Sequence, residues 1–267
     1  NYGSGSIDND LVGDASWLRE FALGGADTIS GGDNAATAGS ANNSIRGDAR
    51  ALYASSRGGN DNLKGGDSLL GGAVLNLMIG DADEMQGSAV GGNDAIVGGN
   101  GLSQGGANNL IYGDAAGASG TVKCGNDVLT GGDAYVSAQV SNSIFGDAAA
   151  VMLGNAIAGN DLMKGGNNKG SGNVSNELVG DSYELKEHTI GGDDVIVGGN
   201  NYGSGTLKNY VVGDATRMRD NAVGGNDTLI AGNAAKGSTV TNDMWGDANV
   251  VFESAIGGKD LFVFEDS

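Results

Sequence analysis

The sequence predicts an all-β fold: a right-handed parallel β-solenoid, or β-roll, of eight repeats of about 33 residues. Three observations predict it: a fixed repeat length, alternation of apolar residues with period two, and a composition of 52 glycines and no proline in 267 residues. At the ~5% average usage the chain would carry roughly 13 prolines. Their absence suits a fold in which every interior strand donates hydrogen bonds to both neighbours.

Two aspartate motifs define the repeat. The first is Gly-Asp, which recurs every 33 or 34 residues, and the second is Gly-x-Asp, which follows it by 13 residues, or by 14 in the fifth repeat. The aspartates of the first motif are Asp14, Asp48, Asp81, Asp114, Asp147, Asp181, Asp214 and Asp247. Those of the second are Asp27, Asp61, Asp94, Asp127, Asp161, Asp194, Asp227 and Asp260. The eight repeats fill residues 1–267, which predicts a single repeat domain.

Each repeat contains two short arms with the pattern of a β-strand. In residues 207–215 the side chains of Leu207, Asn209 and Val211 fall on one face of an extended segment. Strands this short cannot bury a face alone, so neighbouring repeats are expected to stack. A coil of 33 residues is preferred to one of 16 to 17, because identical residues then lie above one another. The expected core contains the small aliphatic residues Ile29, Leu63, Ile96, Leu129, Ile196 and Leu229.

One asparagine per repeat is expected to form a structural ladder of side-chain amides along the stack. Its members are Asn9, Asn43, Asn76, Asn109, Asn142, Asn176, Asn209 and Asn242. Four larger residues lie between the two motifs and are expected to cap the roll or form an outer patch: Trp17, Tyr53, Met218 and Trp245.

The stacked aspartates predict bound cations or bound protons. Two ladders of eight aspartates would place like charges roughly 5 Å apart, at a cost on the order of 3 kcal/mol for each neighbouring pair. Carboxylates and glycine carbonyls in short turns, without histidine or cysteine, form a hard-oxygen site. Such a site suits calcium better than zinc, copper or magnesium.

The second arm resembles the calcium-binding nonapeptide G-G-x-G-x-D-x-U-x of the RTX (hemolysin-type) proteins, where U is a large apolar residue. Residues 92–96 (Gly-Asn-Asp-Ala-Ile) and 225–229 (Gly-Asn-Asp-Thr-Leu) match its core, and residues 260–264 resemble the aromatic ending of RTX arrays. The resemblance covers one arm of each repeat, and the nonapeptides are not contiguous. It implies a calcium-binding β-roll in which the Gly-x-Asp aspartates are ligands. The Gly-Asp aspartates, together with Asp33, Asp67 and Asp133, are candidate calcium ligands on their chemistry alone.

Composition excludes several other classes of protein. The formal charge of −19 argues against nucleic acid and anionic membranes as partners. No apolar segment approaches the ~18 residues of a membrane span. The single cysteine, Cys124, predicts neither a disulfide framework nor a thiolate metal site and is interpreted as incidental. Without a catalytic constellation around His188 or a nucleophile motif, the segment is not expected to be an enzyme.

These observations favour a calcium-stabilised structural module, secreted to the extracellular space or cell surface, from an adhesin, surface layer, matrix or filament. The alternative is the carboxy-terminal repeat block of a type I-secreted enzyme or toxin. An ice-binding protein is a third class, but it needs a regular outward threonine or asparagine face, and threonines are scattered. Residues 1–5 repeat the interior sequence of residues 201–205, which favours self-association or a surface or matrix partner.

Overall fold

The computed structural model describes residues 4–264, and this part of the chain forms a parallel β-solenoid of eight coils with no helix. Each coil contributes one strand to each of three eight-stranded sheets. The predicted all-β solenoid and its 33-residue coil are therefore confirmed, because every strand pairs with the strand 33 or 34 residues away. The ends of the predicted repeat domain, residues 1–3 and 265–267, lie outside the described residues.

The three sheets follow one another within every coil. Strands of the first sheet are Ile7–Val12, Ser40–Arg46, Ala73–Ile79, Gly106–Tyr112, Gln139–Phe145, Asn173–Val179, Thr206–Val212 and Thr239–Trp245. Those of the second sheet are Ala15–Leu18, Ala49–Leu52, Ala82–Gly87, Ala115–Gly120, Ala148–Gly154, Ser182–Leu185, Ala215–Met218 and Ala248–Val251. Those of the third are Thr28–Ser30, Asn62–Lys64, Ala95–Val97, Val128–Thr130, Leu162–Lys164, Val195–Val197, Thr228–Ile230 and Leu261–Val263.

The interior contains two main apolar columns. The first lies between the first and third sheets and contains Ile45, Leu63 and Ile96, all with 0% exposure, so the aliphatic core predicted from the second arm is confirmed. The second lines the second sheet and contains Leu52 and Met85. Met218 belongs to this second column with 0% exposure, so its prediction as a cap or outer residue is wrong.

A left-handed backbone residue ends the second-sheet segment in each coil. Five of these residues are not glycine and have φ between 57° and 66°, for example Ala54 at 60°. The glycines at this position in the third, fourth and fifth coils also have positive φ, for example Gly120 at 106°. The turn therefore has the same left-handed backbone conformation in every coil. Only three of the eight coils have glycine there, the residue that adopts this conformation without strain.

No helix within residues 4–264 is long and apolar enough to cross a membrane.

Candidate metal centre

The aspartates of the Gly-Asp motif form a column at the turn between the first and second sheets. In each coil the turn places this aspartate between the two apolar columns, as Asp48 follows Ile45 and precedes Ala49. One carboxylate oxygen accepts a hydrogen bond from the backbone N–H of a glycine farther along the same coil; Gly59 N–H donates to Asp48 Oδ2 at 2.8 Å. The side chains of Asp48, Asp81 and Asp114 have 0% exposure. We call this set of eight aspartates the Gly-Asp column.

The aspartates of the Gly-x-Asp motif form a second buried column just before the third sheet. From the second coil onward, each Oδ1 accepts a hydrogen bond from the backbone N–H of the equivalent aspartate in the preceding coil, as Asp61 N–H donates to Asp94 Oδ1 at 2.7 Å. Seven members have an Oδ2 atom that is buried and makes no hydrogen bond: Asp27, Asp61, Asp94, Asp127, Asp161, Asp194 and Asp227. We call the full set of eight the Gly-x-Asp column. In the six interior coils one oxygen of each carboxylate thus fixes the stack, and the other is left without a partner.

The unpartnered oxygens face glycine carbonyls. A Cβ atom placed on Gly47 would collide with both Asp61 Oδ2 and the Gly80 carbonyl oxygen, so these two oxygens are close neighbours around the space that glycine leaves. The same arrangement recurs at Gly80, where the colliding atoms are Asp94 Oδ2 and the carbonyl oxygen of Gly113. No backbone N–H within residues 4–264 donates to these carbonyl oxygens. Two buried acceptors that face each other need a cation or a proton between them.

The Gly-Asp column also contains unpartnered oxygens. They are Asp48 Oδ1, Asp147 Oδ2, Asp181 Oδ2 and Asp214 Oδ2. Carboxylates of adjacent coils approach each other within this column: the Cβ position of Gly58 would collide with Asp81 Oδ1 and lies 2.7 Å from Asp48 Oδ2. None of the ion pairs formed within residues 4–264 includes a member of either column. The negative charge of the interior is therefore not balanced by lysine or arginine.

Burial raises the pKa of these carboxyl groups. It raises the pKa of Asp48 to about 7, that of Asp61 to about 6 and that of Asp227 to about 7, from an ordinary value of 3.8. Eight further members have a pKa raised well above 3.8, with burial as the largest cause: Asp81, Asp94, Asp127, Asp147, Asp161, Asp181, Asp194 and Asp214.

The two columns influence each other. After burial, the charges of Asp94 and Asp114 raise the pKa of Asp81, so neighbours in both columns contribute. A cation between the coils would therefore interact with carboxylates of both columns.

The donor set fits calcium. It consists of carboxylate and carbonyl oxygens with no imidazole, which matches the preference of Ca²⁺ for six to eight oxygen ligands of flexible geometry. Orphaned Oδ2 atoms and glycine positions that would not admit a Cβ recur from coil to coil. When bound, calcium would supply the positive charge that lets buried carboxylates remain ionised. Asp61 and Asp94 would hold it together with the Gly80 and Gly113 carbonyls and their equivalents.

The columns are less enclosed at the two end coils. Asp48 and Asp94 are buried in the interior coils, whereas Asp14 is exposed and Asp260 is half-buried. Asp27 and Asp247 in the end coils are half-buried as well. A cation would therefore be attracted most strongly between interior coils, where desolvation strengthens the interaction between carboxylate and cation.

Three predicted ligands lie away from both columns. Asp33, Asp67 and Asp133 occupy a separate row, exposed at Asp33 and half-buried at the other two, in which an Oδ1 accepts a hydrogen bond from the backbone N–H of the next coil, as Asp67 Oδ1 does from Asn100 at 2.6 Å. Asp133 also forms an ion pair with Lys169 at 2.6 Å. The structure thus does not bring these carboxylates together with the interior columns.

The asparagine ladder is structural, as the sequence predicts. Asn76 Nδ2 donates to Asn109 Oδ1 at 2.8 Å and to the Gly66 carbonyl at 3.0 Å, while its Oδ1 accepts from Asn43 Nδ2 and from Gly66 N–H, each at 2.9 Å. Every hydrogen-bonding position of the amide is filled. The ladder therefore offers no free oxygen to a metal.

Sequence reasoning missed two features of the site. The sequence predicts glycine carbonyls as ligands but does not indicate which glycines supply them, although the glycine before every Gly-Asp aspartate, such as Gly47, is the available signal. Cys124 was interpreted as incidental, yet its thiol lies with the carboxylates of Asp114 and Asp147, all three ligand atoms being within 4.8 Å of one another.

Comparison of the chain with protein-family models, with curated proteins and with solved structures finds no significant match.

Proposed function

We propose that this chain is a calcium-binding structural module whose solenoid is stabilised by cations held between its coils. The observation that carries the proposal is the row of buried, unpartnered Oδ2 atoms facing glycine carbonyl oxygens, repeated through the stack. Burying an ionised carboxylate without a counter-charge costs several kcal/mol, so a repeated array of them requires a repeated counter-charge.

Charge balance favours a divalent cation. Each of the six interior coils buries two aspartates, one in each column, and one Ca²⁺ per coil would neutralise that pair. A binding stoichiometry of about one calcium per coil follows. The resemblance of the second arm to the RTX nonapeptide points to the same ion.

An extracellular or cell-surface location fits this chemistry. Sites of this kind in extracellular modules bind calcium with Kd of about 10⁻⁴–10⁻³ M, a concentration range found outside cells. The proposed role is that of a rigid, calcium-dependent element in an adhesin, surface layer, matrix or filament, with self-association or a surface partner as its mode of assembly. No catalytic role is proposed for either column, since their aspartates are all engaged in the repeating stack.

The decisive experiment follows strand content and calcium stoichiometry in the full chain. In excess chelator at neutral pH the chain should lose part of its β-structure by circular dichroism and melt at a much lower temperature, and millimolar calcium should restore both cooperatively. Equilibrium dialysis should give about one ion per coil, with magnesium as the matched control that restores less structure because it demands stricter octahedral geometry.

The competing explanation is that the buried carboxyls carry protons instead. A protonated Asp61, for example, could donate its hydrogen to the Gly80 carbonyl. An unchanged spectrum and melting temperature in chelator at neutral pH would favour protons and overturn the calcium proposal.

A further inference from the structure

One position of the repeat departs from glycine where the Gly-Asp column is most crowded. The first residue of the Gly-Gly pair is glycine in most coils, and at Gly58 and Gly91 a Cβ would collide with the Asp81 and Asp114 carboxylates of the following coils. Cys124 occupies this position in the fourth coil, and Ala158 occupies it in the fifth. The fourth coil therefore points a thiol at the place where carboxylates of adjacent coils approach.

The surroundings of the thiol are those of a ligand set. Asp114 and Asp147 belong to successive coils, and their carboxylates lie with the Cys124 sulfur inside a group whose ligand atoms are all within 4.8 Å of one another. Asp147 has 0% exposure; its Oδ1 accepts the Gly159 N–H at 2.9 Å and its Oδ2 is buried without a partner. The buried carboxylate that approaches the thiol thus keeps one oxygen without a partner, as a mixed oxygen–sulfur site requires.

We propose that Cys124, Asp114 and Asp147 form a single metal site for a thiophilic divalent cation of the zinc or cadmium class. Thiolate sulfur favours Zn²⁺ and Cd²⁺ over Ca²⁺, whereas the all-oxygen sites of the other coils favour calcium. This inference rests on the proposed function, because Asp114 and Asp147 also belong to the Gly-Asp column, which is proposed to bind calcium in the other coils. It gives one coil of the eight a different ion preference.

Binding replaces the sulfur–hydrogen bond by a sulfur–metal bond, and the proton leaves to solvent. In the metal-free protein, burial and then the charges of Asp147 and Asp114 raise the pKa of the Cys124 thiol well above its usual value. A cation supplies the positive charge that stabilises the thiolate. Cys124 as a whole residue is half-buried, while its thiol is the part that faces the buried carboxylates.

The test uses the full reduced chain, refolded with cadmium in a large excess of calcium. Cadmium thiolate has an ultraviolet charge-transfer band that oxygen ligands do not produce. We expect the band to saturate at one cadmium per chain, to disappear in Cys124→Ala and to weaken in Asp147→Asn. Cys124→Ala is a suitable variant because Ala158 already occupies the equivalent position in the next coil.

Two results would overturn the site: a folded wild-type chain without the thiolate band, or a band of equal strength and affinity in urea-unfolded chain. Either would leave the thiol as a simple hydrogen-bond donor to Asp114. The outcome is separable from the calcium proposal, because Cys124→Ala should keep its calcium-dependent folding. Conversely, a chelator-insensitive fold would not remove a cadmium band at Cys124.

Discussion

Asn76 and Asn109 lie one above the other in consecutive coils, and Asn76 Nδ2 donates a hydrogen bond of 2.8 Å to Asn109 Oδ1. The same bond links all eight asparagines of the ladder, from Asn9 to Asn242. Because an amide carries both donors and acceptors, it stacks on a copy of itself without any added ion. A carboxylate carries only acceptors, so the aspartate columns cannot do the same unless a proton or cation joins them.

This difference gives the first prediction, for Asn109→Ala. The substitution leaves the buried N–H and C=O of Gly99 without these partners and removes one hydrogen bond from each of the neighbouring amides of Asn76 and Asn142. We expect a loss of about 3–5 kcal/mol in the free energy of unfolding, equal in calcium and in chelator conditions where the chain is folded. Urea unfolding measures it, with exposed Asn108→Ala as the matched control. A loss confined to calcium would show that the ladder binds metal.

The second prediction is that Asp94→Asn raises the stability of the metal-free protein and lowers the stability of the protein in calcium. The amide removes a buried charge and can donate to the facing Gly113 carbonyl, so the metal-free protein should gain about 1–3 kcal/mol. Calcium affinity should fall, because one anionic ligand is lost. Melting temperatures in calcium and in chelator check both signs. The control is the exposed substitution Asp243→Asn, which should change the free energy of unfolding by no more than about 0.5 kcal/mol in calcium or in chelator. A parallel change in both conditions would contradict the assignment of Asp94 as a ligand.

The third prediction is a pH dependence that calcium reverses. The pKa of Asp48 is raised to about 7 and that of Asp61 to about 6, against 3.8 for the ordinary group. Between these values the folded protein holds more protons than the unfolded chain, so its stability falls as pH rises. In chelator, the contribution of these groups should be complete below about pH 4 and lost above about pH 7.

Calcium needs the ionised carboxylates, so in its presence stability should instead rise over the same range. Urea midpoints measured across this range, with and without calcium, test both trends. A metal-free protein that becomes more stable from acid to neutral pH would contradict the buried-column electrostatics.

The fourth prediction concerns the glycine that precedes each aspartate of the Gly-Asp column. In Gly113→Ala the new methyl group would collide with the Gly146 carbonyl oxygen and Asp127 Oδ2, so we expect a loss of at least about 3 kcal/mol and weaker calcium binding. Gly117→Ala is the control, since its Cβ would meet only the Val151 carbonyl oxygen at 3.9 Å. Thermal unfolding in calcium compares the two. Equal tolerance of both substitutions would show that the space beside Gly113 is not restricted.

The sequence by itself determined the period of the solenoid and which residues stack. Residues one repeat apart must meet when coils stack by translation, so the pairing of Asn76 with Asn109, and of Asp94 with Asp127, follows from spacing alone. The aliphatic column that contains Leu63 and Ile96 follows from period-two alternation for the same reason.

Only the tertiary structure decided which side of the chain faces inward where strands give way to turns. Period two ends at a turn, and the glycines there permit several backbone directions. The full burial of Asp48 and the half-buried position of Asp67 outside both columns therefore could not be told apart from spacing. For the same reason, the sequence alone could not show that the Met218 side chain packs in the second apolar column. The approach of Cys124 to Asp147 joins different coils through the interior, and a single departure from a repeat does not reveal what lies across from it.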